Sequence, residues 1–124
     1  MNATIIHKTI VNSAVLDVLA KGLPGIIADA LEVAGGKMAI LKPEQVSLEF
    51  SQASPRDVGS DIKIMVFARS IVPRSSKEKD LAKGILEKVI ALTTTSGEDY
   101  SVDIRLYLME VGAAEYSVSN QESR

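Results

Sequence analysis

The sequence predicts a two-layer α+β fold, a four-stranded mixed sheet with two main helices on one face. Three observations carry this. The chain reads strand–helix–strand twice, over about residues 3–51 and 61–110, with a polar hinge from Gln52 to Ser60 between them. A strand–helix–strand unit is a right-handed crossover, so two of them build a small α/β sheet. The chain has 124 residues, 46% of them hydrophobic, which suits one modest core. A single domain over 1–124 follows, with residues 111–124 as a C-terminal tail.

Ala3 to Val11 is rich in β-branched residues and reads as the first strand. It is apolar at Ile5, Ile6, Ile10 and Val11, which predicts cover on both faces. Asn12 or Ser13 caps the helix that follows. That helix carries Val15, Leu16, Val18 and Leu19, then meets Gly22-Leu23-Pro24-Gly25. Proline inside a helix removes a hydrogen bond and clashes one turn back. A kink and a break both answer that, and the flanking glycines favour a break, with Pro24 in the first turn of a second helix. Ile26, Ile27, Ala30, Leu31 and Ala34 form its buried stripe, and Gly35-Gly36 stops it. Glu44 to Ser51 alternates, with Val46, Leu48 and Phe50 on one side and Ser47, Glu49 and Ser51 on the other. That is a half-exposed strand.

Asp61 to Arg69 is the third strand. Ile62, Ile64, Val66 and Ala68 share one face; Lys63, Met65, Phe67 and Arg69 share the other. Ser70 to Arg74 reads as a loop. Ser75 with Glu78 fits a capping box that starts a helix running to about Thr93, with Leu81, Ala82, Ile85, Val89 and Leu92 inward. Gly97 to Asp99 is a turn. Ser101 to Glu110 is the fourth strand, with Val102, Ile104, Leu106 and Leu108 inward and Asp103, Arg105, Tyr107 and Met109 outward. Tyr116 and Val118 predict a short terminal strand, and the last five residues a frayed end.

Composition excludes several chemistries. There is no cysteine, hence no disulfide and no thiolate. The single histidine, His7, rules out a multi-histidine metal site. A net charge of −2 gives no pull toward nucleic acid, and two Phe and three Tyr make no stacking platform. The N-terminal segment lacks the pattern of a signal peptide, and the apolar runs are too short to span a bilayer. A cytoplasmic protein is expected, with no cofactor, metal, nucleic acid or membrane partner. Gly35-Gly36 follows a helix instead of opening one, so it is no phosphate loop. Ser13, Ser54, Ser75 and Ser76 lack a nucleophile-elbow setting. Lys77, Lys79, Lys83 and Lys88 alternate with Glu78, Asp80 and Glu87 as a solvated helix face. Thr93 to Thr95 are helix-end hydroxyls, and Lys37 and Lys42 are solvated loop lysines. His7 reads as a hydrogen-bonded structural residue, with a general base as the alternative.

Two helices cover only one face of a four-stranded sheet. The other presents Met65, Phe67, Tyr107 and Met109 amid Lys63, Arg69, Asp103 and Arg105. Monomers rarely leave such a patch open. An oligomer packed sheet beside sheet is expected, its charges paired within or across subunits.

This element order, length and reserved sheet face, with Leu23-Pro24-Gly25 entering the first long helix and Arg74-Ser75 the second, resembles the tautomerase superfamily. The resemblance covers Ala3 to about Tyr116, and in length and spacing is most similar to the 5-carboxymethyl-2-hydroxymuconate isomerases. It implies a homotrimer whose sheets line a central barrel, with sites between subunits near the start of strand one. It also implies an amino-terminal proline whose secondary amine, its pKa lowered by an apolar pocket, moves a proton between carbons next to a carbonyl. Asn2 stands at that position here. Asparagine is too large for efficient removal of the initiator methionine, so Met1 is expected to stay. The proline mechanism is then lost, no catalytic residue is assigned, and the Met1 amine is a displaced candidate base. The resemblance also places Arg74 where a cation holds a substrate carboxylate, a role suited to its planar fork. A solvated loop arginine is the alternative. Arg69 is a second ligand candidate, or a charge on the interface rim. The expected function is a tautomerase- or isomerase-like protein without proline-based proton transfer that binds a small carboxylate at a subunit interface. A third reading is a true enzyme using Arg74 with a water or the Met1 amine. The rival class is a ferredoxin-like oligomeric binding or regulatory module without catalysis. The tautomerase pairing sets strand one beside strand two; the ferredoxin-like pairing sets strands one and three together in the middle.

Overall fold

The computed structural model describes residues 1–32, 42–95 and 97–118. The elements are β1 (Asn2–His7), α1 (Ser13–Leu31), a 3-10 turn (Pro43–Gln45), β2 (Ser47–Gln52), β3 (Ile62–Arg69), α2 (Val72–Ser75), α3 (Glu78–Thr94) and β4 (Val102–Met109). The strands form one sheet in the order β2-β1-β3-β4. β1 pairs β2 in parallel and β3 pairs β4 in parallel. β1 and β3 meet antiparallel in the middle. Each unit therefore pairs its own two strands directly, and a pseudo-twofold axis between β1 and β3 relates the halves. The central β1–β3 contact alone does not separate the two expected topologies. The direct parallel pairing within each unit does, because a ferredoxin-like unit is a split β-α-β.

The core lies between the sheet and the two long helices. Ala3 and Ile5 of β1, with Ile62, Ile64, Val66 and Ala68 of β3, face Val15, Leu19, Leu23, Ile27 and Leu31 of α1 and Ile85 and Val89 of α3. Strand alternation and a helical repeat of about four residues bring these side chains to one layer.

Pro24 does not break the first helix: α1 runs through it as one element. Leu19, Leu23 and Ile27 are fully buried on both sides of the proline. Their spacing by four keeps one apolar stripe on the sheet, and that burial outweighs the local cost of proline. The carbonyl that loses its partner is that of Ala20, an exposed residue, so water can reach it. Asn12 is the N-cap, its Oδ1 accepting from the Ala14 amide at 2.8 Å. Ala34, Gly35-Gly36 and Lys37 lie outside the described residues, as do residues 119–124, which contain the expected frayed end.

Other expectations shift at their edges. The first strand ends at His7, and Ile10 is 64% exposed because the chain turns where the Val11 amide donates to the Lys8 carbonyl. The second strand starts at Ser47, since Pro43–Gln45 forms a turn held by the Lys42 amide on Gln45 Oε1. Part of the expected loop after β3 is the short helix α2. The capping box at Ser75 is absent: α3 is capped at Lys77, and Ser75 Oγ donates to the Val72 carbonyl one turn earlier. No terminal strand forms among the described residues, and Tyr116 is exposed.

Candidate functional site

The register fixes which residues meet on the uncovered face. One row across the sheet reads Ser47, Asn2, Phe67, Tyr107. The next reads Glu49, Thr4, Met65, Arg105, and the third Ser51, Ile6, Lys63, Asp103. Arg69 pairs with Met109 one step beyond the first row, just past the start of β1. Because β1 and β3 are antiparallel, the beginning of β1 and the end of β3 share one end of the sheet. Asn2, Phe67, Tyr107, Arg69 and Met109 thus form one cluster.

Phe67 and Tyr107 stack with ring centroids 5.1 Å apart and planes inclined by 13°. Tyr107 and Met109 are each 39% exposed. The apolar end of the face is therefore open in the single chain. Of the four charges expected there, Arg105 Nε donates to Asp103 at 3.2 Å. Lys63 and Arg69 have no ion-pair partner among the described residues.

Asn2 is the first residue of β1. Its backbone nitrogen is an amide, which offers no basic lone pair. Met1 precedes it, half-buried against the core, and its carbonyl accepts from the Ser47 amide at 3.0 Å. Beside this cluster, Arg69, Ser70, Glu110 and Val111 line a shallow cavity of about 250 Å³. It sits at the carboxyl ends of the parallel strands β3 and β4, the end at which open α/β sheets bind ligands. Sequence reasoning found Arg69 but not Ser70, Glu110 or Val111. The available signal was their position just past two parallel strand ends.

Arg74 is not a solvated loop arginine, since it is only 4% exposed. Its Nε donates to the Leu31 carbonyl at 3.2 Å and its Nη1 to the Arg69 carbonyl at 3.1 Å. It satisfies a carbonyl in the last turn of α1 and ties it to the end of β3. Burial, and then the nearby charge of Arg69, lower its pKa. Guanidinium nevertheless stays protonated in proteins. His7 lies on the helix side with its Nδ1 3.3 Å from the Lys8 carbonyl oxygen, a local contact away from the cluster. Lys42 is exposed. Among the described residues, no group of three or more His, Cys, Asp or Glu could hold a metal ion. No described helix is long and apolar enough to cross a membrane.

No family model and no curated protein matches this sequence. Solved structures do match in fold. A fused 4-OT, a symmetric trimer, aligns with a TM-score of 0.63 over 100% of both chains at 12% identity. Malonate semialdehyde decarboxylase aligns at 0.64, over 96% of this chain and 92% of its own, at 10% identity. The macrophage migration inhibitory factor of Toxoplasma gondii aligns at 0.55, over 98% of each chain, at 17% identity. The chain therefore has the fold of the tautomerase superfamily.

Proposed function

We propose that this protein is a tautomerase-fold homotrimer that has lost proline-based proton transfer and binds a small carboxylate near the start of β1. The observation that carries the reading is the cluster at one end of the uncovered face: Asn2 in the strand beside Phe67 and Tyr107, with Arg69 one step beyond. An apolar floor with a cation at its rim suits a small organic acid, the cation taking the carboxylate and the ring pair the carbon skeleton. Arg69 is the direct ligand in this reading. Arg74 supports it through the carbonyl of Arg69 and fixes where that residue leaves the strand.

The chemistry follows from Asn2. Proton abstraction next to a carbonyl needs a base with a free lone pair, and an amide nitrogen has none. The Met1 amine is a primary amine one residue displaced. The open apolar face supports the trimer, as does the symmetric trimer formed by a fused 4-OT of the same fold.

The test is a tautomerase assay with phenylenolpyruvate and a 2-hydroxymuconate, the latter chosen for the length and spacing shared with muconate isomerases. Wild type is expected to be inactive, and Asn2→Pro, after confirmed loss of methionine, to gain proton transfer. Fast turnover by wild type would overturn the loss of chemistry. A silent Asn2→Pro variant that also fails to bind the substrate would overturn the site.

A further inference from the structure

The pseudo-twofold axis gives the sheet a second carboxyl end of parallel strands, formed by β1 and β2. A cavity of about 210 Å³ sits there, beneath the hinge between the two units. It is the counterpart of the cavity at Arg69 and lies at the opposite end of the sheet. Ile6 forms part of its wall, and Lys8 and Lys63 supply its cations. Ile6 pairs with Lys63 across β1 and β3, and Lys8 is two residues further along the same face. The two lysines are therefore diagonal neighbours whose long side chains can reach one point.

Each of the nearby acids has another hydrogen-bond partner. Asp57, on the rim, accepts from the Ser54 amide at 3.0 Å with one oxygen and from Ser54 Oγ at 3.2 Å with the other. Asp103, beside Lys63 in its row, is held by Arg105. Asp61 accepts from the Ser101 amide at 3.0 Å and meets Lys8 only at 3.7 Å. A pair that long and partly exposed is weak. Lys63 is half-buried and, among the described residues, has no partner at all. The loop over the cavity is shaped in advance by the Asp57–Ser54 bonds and by Gly59, whose φ of 146° only glycine adopts readily.

We infer that this cavity is a second anion site, which takes a phosphate group between Lys63 and Lys8. Each lysine ammonium is a compact point charge with three donors, and two of them match the several acceptor oxygens of one phosphate. Ser60, whose hydroxyl is a further donor, lines the same cavity. The space equals that of about seven waters, enough for a phosphate and a small attached group. This inference does not rest on the carboxylate site, which lies at the other end of the sheet.

The test is an NMR titration of the intact protein with inorganic phosphate, with succinate at matched ionic strength as the comparison. Saturable shifts confined to the amides of residues 57–63 are expected with phosphate. Lys63→Gln is expected to weaken them at least about tenfold, a factor easily read from fitted Kd values. Lys63→Arg restores them in part, and Arg69→Gln leaves them unchanged. Circular dichroism of each variant separates lost binding from lost fold. Unsaturable shifts, equal response to succinate, or full binding by a folded Lys63→Gln protein would overturn the proposal. Loss of the shifts in Arg69→Gln would assign phosphate to the other end of the sheet and overturn it too.

Discussion

Two residues show how single side chains hold this fold together. Arg74 gives hydrogen bonds to two carbonyls, that of Leu31 in the core and that of Arg69 at its edge, and its removal takes both bonds away. The Leu31 acceptor is buried and the Arg69 acceptor only partly so; a stranded buried acceptor costs roughly 1–3 kcal/mol, so Arg74→Ala is expected to lose about 2 kcal/mol in urea unfolding. Arg74→Lys recovers little, because one ammonium cannot reproduce a planar fork spanning two carbonyls. The sequence marked Arg74 as a cation of interest but not as buried, because one of its partners lies 43 residues away. No local pattern encodes that distance. Tyr100 is the second case. Its hydroxyl accepts from the Asn12 amide at 3.0 Å and donates to the Glu98 carboxylate, joining the start of α1 to the turn before β4. The bond to Glu98 is the main cause that raises its pKa above 10.0. A raised folded-state pKa favours the neutral phenol. The contribution is thus complete below the unfolded value of 10.0 and is lost as pH rises through the folded value. Stability measured on either side of that window should fall more steeply in wild type than in Tyr100→Phe. Equal slopes would remove Tyr100 from the account.

Among the elements, the first helix shows how burial overrides propensity. Proline in a helix interior costs about 3 kcal/mol relative to alanine. The helix tolerates it because Leu19, Leu23 and Ile27 each seal against the sheet. Replacing Pro24 by Ala restores a backbone donor and returns some entropy to the unfolded chain, about 1 kcal/mol at most. Pro24→Ala should therefore stabilise the protein by about 1–2 kcal/mol, read as a higher urea midpoint at unchanged slope. A destabilised variant would mean that the proline shapes a bend the core needs. Gly22 lies near the same crossing, where an added Cβ would come within 2.7 Å of Leu92 Cδ1 on α3. That atom ends a flexible side chain, so Leu92 can move aside. The sequence made the existence of these helices legible through their apolar period. It misjudged Pro24 because the weight of burial is a tertiary quantity, and it misplaced the α3 cap because Ser75 belongs to the turn of α2.

For the whole molecule, the sequence divided the strands into two faces but could not say which strands are neighbours. Alternation records the side of a sheet and carries no information on pairing. Two topologies therefore share one element order, and the parallel pairing of β1 with β2 separates them. The pairing then assembles the open face, and the face makes the final prediction. Phe67, Tyr107, Met65 and Met109 sit together on it, and Tyr107 and Met109 remain over a third exposed. If three chains bury this face, light scattering should return three times the chain mass of 13.3 kDa. Tyr107→Lys would place a charge beside Phe67 inside that contact, where desolvation is costly and no partner stands ready. The mass should then fall toward that of one chain while far-UV circular dichroism is retained. Glu87→Lys, on the exposed side of α3, reverses a charge away from the face and should leave the trimer whole. A wild-type mass of one chain would sink the trimer, and a trimeric Tyr107→Lys protein would move the interface elsewhere on the molecule.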